Sequence, residues 1–598
     1  MFFLPGFIME NTVTMKKIFL LLLLTAQFTF SQDQHPNNGF LRAEGTKIVD
    51  SLGENVLLRG IGLGGHMLQE GYMLKVPFSG QQYVFKQHME ELVGKDKTDE
   101  FYEAWLANHT RKIDIDSLKS WGFNSVRLPM HYNLYTLPVD QEPVAGENTW
   151  LEKGFQMTDS LLSWCRDNGM YLILDMHAAP GGQGHDVNIS DRDPSKPSLW
   201  ESEANQQKLV ALWKKLAERY KDEPVIGAYD VINEPNWSFQ EGIHKHGIED
   251  TGNEPLRKLM LEITEAIREV DQNHIVIIEG NGWGNNYDGV LPPWDDNMVL
   301  SFHKYWNNND KGSIQKFLDY REQYQIPIWL GETGENSNVW FTDAIELMED
   351  HNIGWCWWPL KKLGFNNPLE VKVNPGYANI LNYWKGEGEK PAAAEAYAAF
   401  MQLAEDTKLE NNIFHKDVVD AMIRQPHSDE TVPFTKVVLG QEATIKAADY
   451  DMGRHGIAYQ DNDFGNYYIS TGGERTGWNH GRTYRNDGVD IFRTETASDP
   501  EAVYVGDLEA GEWMQYTVEA GDSGKYLVEV RVEYLSTGGR ASVSATEGEV
   551  VEFEIRNPES TWSWQVVGEL FLEAGENRIR FQVEDGGFNL ESIKLTRI

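Results

Sequence analysis

Two glutamates close apolar, β-branched runs: Glu234 in Ile232-Asn233-Glu234-Pro235 and Glu332 in Leu330-Gly331-Glu332-Thr333. Three other runs end in polar groups. Arg127 lies in Ser125-Val126-Arg127-Leu128-Pro129, His177 in Leu174-Asp175-Met176-His177, and His303 with Tyr305 in Ser301-Phe302-His303-Lys304-Tyr305. A charged residue ending one strand is often a helix cap or an ion-pair partner, but capping does not explain five at equivalent ends. Two carboxylates facing one cavity can cleave an acetal. One, protonated, serves the leaving oxygen, and the other, ionised, attacks the anomeric carbon. Asn233 and nearby aromatics allow a raised pKa at Glu234, which suits the acid. Arg127 and a hydrogen bond from Tyr305 keep Glu332 ionised as the nucleophile.

Such groups need a scaffold that gathers strand ends at one mouth. From about 40 to 405, eight short apolar runs read as strands: Val56–Gly64, Ser125–Met130, Tyr171–His177, Val225–Glu234, His274–Gly280, Met298–Tyr305, Pro327–Glu332 and Ile353–Leu360. Helical periodicity fills Phe155–Asn168, Gln206–Lys221 and Pro255–Asp271, with Gly169 placed as a C-terminal stop. The fold class expected is α/β, a (β/α)8 TIM barrel over 40–408, whose active site forms at the strands' C-terminal ends. A doubly wound sheet would use fewer strands, and no G-x-G-x-x-G follows the first one. Residues 409–435 read as a linker with a short helix near Asp417–Ile423. From 436 to 598, short alternating strands between Gly/Asn/Asp turns predict a C-terminal all-β jelly-roll sandwich.

The chain has 598 residues, enough for two or more cores, with 41% hydrophobic residues, 12% aromatics and 20 Trp. Its formal charge of -39 argues against nucleic acid or an anionic membrane as partner and fits a neutral substrate. Met15-Lys16-Lys17 and the apolar Ile18–Ala26 read as an export signal over 1–31, with the true start at Met15 and a secreted or periplasmic destination. Cys165 and Cys356 read as two buried single thiols. No G-x-S-x-G or phosphate-binding loop is present, and His244-Lys245-His246 and His351 lack zinc spacing and read as solvated surface.

With these residues in place, the segment 40–405 resembles glycoside hydrolase family 5, the cellulases, mannanases and related β-glucanases. The family's set maps onto Arg127, His177, Asn233, Glu234 (acid/base), His303, Tyr305, Glu332 (nucleophile) and Trp358. The resemblance implies that Asn233 holds the sugar 2-hydroxyl and that Trp358 forms the platform under the ring to be cleaved, with no cofactor needed. Strand alternation puts Trp355 and Trp357 on the face opposite Trp358. Asp175 to Gln183 is similar to the matching segment of the family's exo-β-1,3-glucanases, and the loop Gly184–Ser198 could wall off one end of a cleft. Trp150, Trp237, Trp283, Trp294, Trp306 and Trp340 are candidates to line subsites.

Tyr484-Arg485-Asn486-Asp487-Gly488, Gly511-Glu512-Trp513-Met514-Gln515-Tyr516 and Gly586-Gly587-Phe588-Asn589-Leu590 resemble, in order, a family 6 carbohydrate-binding module. That resemblance implies sugar contacts at Tyr484, Trp562 and Asn589, with Trp564 and Trp513 in the core. Lys446 and Ala448 stand where the family carries calcium-binding carboxylates, so its structural calcium is not expected here.

The function expected is a secreted retaining hydrolase of a β-glucan, cellulase-like or β-1,3-directed, acting as a monomer on a polysaccharide. The alternatives are a β-mannanase or other β-glycanase, a transglycosylase, or a non-catalytic glycan-binding protein on a dead barrel.

Overall fold

The structure is a computed structural model that describes residues 39–465, 477–494, 502–535, 538–545, 548, 550–556 and 561–598. The leader read at 1–31 lies outside these residues.

Eight parallel strands close a barrel: β1 Arg59–Gly62, β2 Ser125–His131, β3 Tyr171–Ala178, β4 Ile226–Asp230, β5 Ile275–Glu279, β6 Met298–Lys304, β7 Ile328–Gly334 and β8 Gly354–Trp358. All eight expected runs are strands because both faces are covered, which favours continuous Val/Ile/Leu. One face packs into a barrel interior of Ile173, Ala228, Ile275, Ile277, Val299, Trp329 and Cys356. The hairpin Arg42–Glu44 and Lys47–Val49 adds Leu41 and Ile48 to that cluster, which seals one end of the barrel. The other face meets helices that include α1 Glu152–Asn168, α2 Glu203–Tyr220 and α3 Glu254–Arg268, through Leu161, Leu212, Trp213 and Ile263. Helix α1 stops at Gly169, whose φ of 59° is the left-handed conformation expected of a terminating glycine. Cys165 and Cys356 are unpaired and buried. No described helix is long and apolar enough to cross a membrane.

The segment read as a linker is built into the barrel domain. Lys416–Ile423 is a helix, α5, packed on α4 Asn338–Asp350, and Val418, Val419, Ala421 and Met422 join the barrel's outer core. Beyond it lies a sandwich of two largely antiparallel sheets. One runs Val437–Leu439, Trp513–Ala520, Gly575–Asp585, Arg540–Ala545, Val551–Glu554, and its first pair is parallel. The other runs Ile491–Arg493, Val503–Val505, Phe588–Arg597, Gly524–Tyr534, Ser563–Leu572. Two tryptophans expected in its core lie outside it. Met514, Tyr516 and Val518 point inward, so Trp513 faces out, beneath the Arg580 guanidinium at 3.8 Å. Trp564 is 41% exposed, with the Lys594 ammonium 4.6 Å above its ring.

Candidate active site

Arg127, His177, Asn233, Glu234, His303, Tyr305, Glu332 and Trp358 form one connected cluster. Arg127, fully buried on β2, is the hub. Its Nη1 donates to Glu332 Oε2 at 2.8 Å, and its Nη2 donates to Asn233 Oδ1 at 2.8 Å and to Asp230 Oδ2 at 2.9 Å. Asp175 and Glu279 each lie 3.2 Å from the same nitrogen. Tyr305 donates its hydroxyl to Glu332 Oε1 at 2.6 Å, the partner expected of it. His303 Nδ1 lies 2.7 Å from Glu234 Oε1, and its Nε2 lies 3.2 Å from Glu279 Oε1. His177 is held by Asp175 at 2.8 Å and stacks on Trp358, with centroids 5.0 Å apart and planes at 10°. Trp355 and Trp357 are fully buried in the outer core, as strand alternation requires. The Trp358 ring needs glycine beneath it. A Cβ on Gly62 would lie 2.5 Å from its Cε3, and one on Gly64 would lie 2.8 Å from its Cζ2.

Glu234 lies beyond β4, which ends at Asp230, and takes a φ of 43°. That conformation is uncommon for a non-glycine residue. It is held because its backbone N–H donates to Glu279 Oε2 at 2.7 Å. Sequence reading missed Glu279, Asp175 and Asp230. The signal was present, a carboxylate on two of the apolar runs already singled out and one at the end of a further strand, but their common partner Arg127 is distant in sequence. It also missed Glu70, which is buried 3.6 Å from His177 Nε2, and Tyr72, whose hydroxyl accepts from Trp358 Nε1 at 3.0 Å.

Electrostatics separates the two glutamates. Burial raises the Glu234 carboxyl above the ordinary range; His303 opposes this, and the charges of Glu332 and Glu279 add to it. Burial also works against an ionised Glu332. The charges of His303, Arg127 and His177 and the Tyr305 hydroxyl outweigh it and hold that carboxyl below its usual range. Burial disfavours a protonated His303, yet Glu279, Glu332 and Glu234 raise its proton affinity well above normal. Burial, with the charge of Glu279, lifts Asp230 well above the carboxylate range. The surroundings thus push Glu234 toward its protonated form and Glu332 toward its ionised form.

Oxygens of Glu234 and Glu332 and a nitrogen of His303 lie within 4.8 Å of one another. One oxygen of each glutamate within that reach is compatible with the roughly 5–5.5 Å between carboxyls in double displacement, and closer than the roughly 6.5–9.5 Å between the carboxyls of an inverting pair. A protonated His303 makes the trio a poor cation site. Among the described residues, one other group has metal-type donors in mutual reach, His480, Asp490 and Asp507, on the sandwich.

Glu234 with Trp283, His303, Tyr305 and Trp306 lines a groove of about 460 Å³. Trp306 is 47% exposed there. His246, read as solvated surface, instead stacks on Trp283 at 4.4 Å, and Trp237 is sandwiched by His185 at 4.0 Å and Arg192 at 5.0 Å. Trp340 is buried with its Nε1 donating to Asn307 O, Trp294 donates to Thr264, and Trp150 packs on the core. The loop after β3 is a strap. Gly184 pairs with Asn236, the backbone N–H of Gly80 donates to Asn188 Oδ1 at 2.9 Å, and that of Tyr83 donates to Asp191 Oδ1 at 2.9 Å. His131 also meets Asp191, at 3.0 Å. The strap thereby ties the segment after β4 to the loop after β1, across the end of β2.

In the sandwich the structure gathers some expected residues and not others. Trp562 lines a groove of about 670 Å³ with Tyr504, Phe492, Arg482 and Glu533, and Glu370 of the barrel domain borders it. Asn589 joins through Nδ2, which donates to Glu533 Oε2 at 2.9 Å. Tyr484 is not among the lining residues. Its hydroxyl donates to Asp449 at 2.5 Å and its ring packs on Phe434, so Tyr504 stands beside Trp562 instead, with centroids 5.3 Å apart. Lys446 and Ala448 bring no carboxylate, and Asp451 is occupied by Gln515 and Thr517.

A buried carboxylate pair in a (β/α)8 barrel, one pushed toward the protonated form and the other toward the ionised form, fits a glycosidase acting on O-glycosyl compounds. Residues 86–364, within the barrel, match the family model described as cellulase (glycosyl hydrolase family 5). A "Beta-xylosidase" of Phanerodontia chrysosporium is 25% identical over 378 residues, 57% of this chain and 75% of that protein. "Endoglucanase C" of Acetivibrio thermocellus is 26% identical over 332 residues, 45% of this chain and 89% of that one. A "Probable glucan 1,3-beta-glucosidase A" of Aspergillus clavatus is 26% identical over 255 residues, 42% of this chain and 56% of that one.

Proposed function

We propose that the protein hydrolyses β-glucosidic bonds of a β-glucan by double displacement, with Glu234 as acid/base and Glu332 as nucleophile. The observation that carries this reading is the two-glutamate geometry, two carboxylates with an oxygen of each within 4.8 Å of the other and with surroundings that favour opposite protonation states. In the first step the ionised Glu332 attacks the anomeric carbon while Glu234 protonates the departing oxygen. In the second, Glu234 takes a proton from water as that water displaces Glu332. Relatives named as an endoglucanase and a glucan 1,3-beta-glucosidase support the glucan, and the one named a xylosidase makes xylan the first competitor in a substrate screen.

The strap favours release of units from a chain end over internal cutting, because it ties the loop after β1 to the segment after β4 beside the end of β2 and so walls one side of the cleft. The sandwich is proposed to hold the enzyme on polymer through the groove of Trp562, Tyr504 and Asn589, raising local substrate concentration. The N-terminal segment is proposed to direct export. The purified chain should be tested on β-1,3-, β-1,4- and mixed-linkage glucans, mannan and xylan, with products sized. Glucan turnover that is lost in Glu332→Gln, with short products appearing from the start, supports the reading, and turnover of mannan or xylan alone refutes the glucan. Trp562→Ala should lose adsorption to insoluble glucan and keep its rate on a soluble glycoside.

A further inference from the structure

The turn that follows the nucleophile is held from the other domain. Strand β7 runs two residues past Glu332 to Gly334, and Glu335, at a φ of 56°, leads through Asn336 and Ser337 into α4. Asn336 is fully buried, and its Nδ2 donates to Tyr305 O at 2.8 Å and to Gly334 O at 3.1 Å. One amide therefore clips this turn to the residue whose hydroxyl donates to Glu332. The carbonyl of Asn336 in turn accepts from Asn486 Nδ2 at 2.8 Å, and Asn486 belongs to the sandwich domain.

Asn486 is fully buried and all four of its polar groups are paired across or beside the interface. Its N–H donates to Asp417 Oδ2 at 2.8 Å, and its carbonyl accepts from the Asn338 N–H at 2.9 Å. Its Oδ1 accepts from Trp478 Nε1 at 2.9 Å, and its Nδ2 also reaches Asn338 Oδ1 at 3.0 Å. Asn338 Nδ2 donates to both Asp417 and Asp487, and the Trp478 ring is counted among the barrel's own core. A buried amide has little freedom to exchange such partners, because any bond it drops is left unpaired. The domains are fixed to one another here, at the segment that carries the nucleophile.

We infer that Asn486 of the C-terminal domain is a positioning residue of the active site, fixing the turn behind Glu332 through Asn336 and Tyr305. The sandwich is thus part of the catalytic machinery as well as a surface for polymer. The inference rests on the reading of Glu332 as nucleophile.

The test uses the full chain carrying Asn486→Ala, assayed on a small soluble aryl β-glycoside that needs no polymer binding. Rates are counted per competent site by titration with a slow fluoroglycoside. The expected result is a kcat lower by about 10-fold or more, a KM changed little, an acid limb of the pH profile moved upward, and unchanged adsorption to insoluble glucan. Arg454→Ala breaks the interface bridge to Glu346, 2.9 Å long and remote from Glu332, and should lower Tm with kcat retained. A normal kcat and pH profile per site in Asn486→Ala, with only Tm reduced, overturns the inference. If that variant does not fold, Asn486→Asp decides in the same way, since it keeps the acceptor for Trp478 and removes the Nδ2 donor shared by Asn336 O and Asn338 Oδ1. A wild-type chain inert on every β-glycoside would refute the enzymatic reading itself, an outcome separate from a Glu332-dependent enzyme indifferent to Asn486.

Discussion

Replacing Tyr305 by Phe removes one oxygen from the site and leaves the ring in place. That oxygen donates to Glu332 Oε1 at 2.6 Å, beside the Arg127 bond to the other carboxylate oxygen. A hydrogen bond to a charged group is worth roughly 1.5–3 kcal/mol, which at about 1.4 kcal/mol per unit corresponds to about 1–2 pH units. The sign follows from the state the bond favours. The hydroxyl stabilises the ionised nucleophile, so its loss raises the pKa of Glu332. Glu332 must be ionised to attack, so the acid limb of kcat/KM should move up by about 1–2 units. The alkaline limb, set by Glu234, should stay in place. The assay is kcat/KM against pH on a soluble aryl β-glucoside for wild type and Tyr305→Phe. An acid limb that does not move, or that moves down, refutes the assignment of Tyr305 and Arg127 as the groups that keep Glu332 ionised.

Three further outcomes follow from the same geometry. Glu234→Ala should slow substrates with poor leaving groups by roughly 10²–10⁴-fold, and azide should rescue turnover to give a β-glycosyl azide; an α-azide would reverse the two roles. Gly62→Ala places a methyl 2.5 Å from the Trp358 ring. It should destabilise the fold by about 1–3 kcal/mol and raise KM, read by chemical denaturation and steady-state kinetics; an unaltered KM would show that the platform does not touch substrate. In the sandwich, burial and the charge of Glu512 push Asp461 up to about 8, and burial pushes Glu512 up to about 7. Carboxyls whose folded pKa is raised bind more protons folded than unfolded, so stability should fall as pH rises from about 4 through about 8. Asp461→Asn should reduce that slope in denaturation curves, and stability that rises over this window would contradict the burial of the pair.

The barrel was legible because a strand buried on both faces reads as an uninterrupted Val/Ile/Leu run, so all eight were found within a few residues of their ends. Glu234 and Glu332 stood out as charges closing such runs. What stayed hidden was set by distant partners. The β4 run was extended to Glu234, whereas the strand ends at Asp230 because Glu279 holds the Glu234 N–H in a left-handed turn. The helix at 416–423 read as linker because its apolar stripe is short, and only α4 shows what that stripe covers. Trp564 shares sequence parity with the buried Leu570 and Leu572, but a register shift beside Gly568, whose φ is 158°, turns it outward. Trp513 needed no such device, since alternation with Met514 and Tyr516 already placed it outside. Tyr484 sits in a motif that resembles a sugar clamp, and in this chain the same loop forms the contact between the domains.

The assignment of Glu332 as nucleophile is tested most directly by trapping the covalent intermediate. The enzyme is incubated with an activated 2-deoxy-2-fluoro-β-glucoside, digested, and its peptides are mapped by mass spectrometry. The expected result is one fluoroglucosyl adduct, on Glu332. An adduct on Glu234, or full turnover to an inverted product with no adduct, would contradict the account.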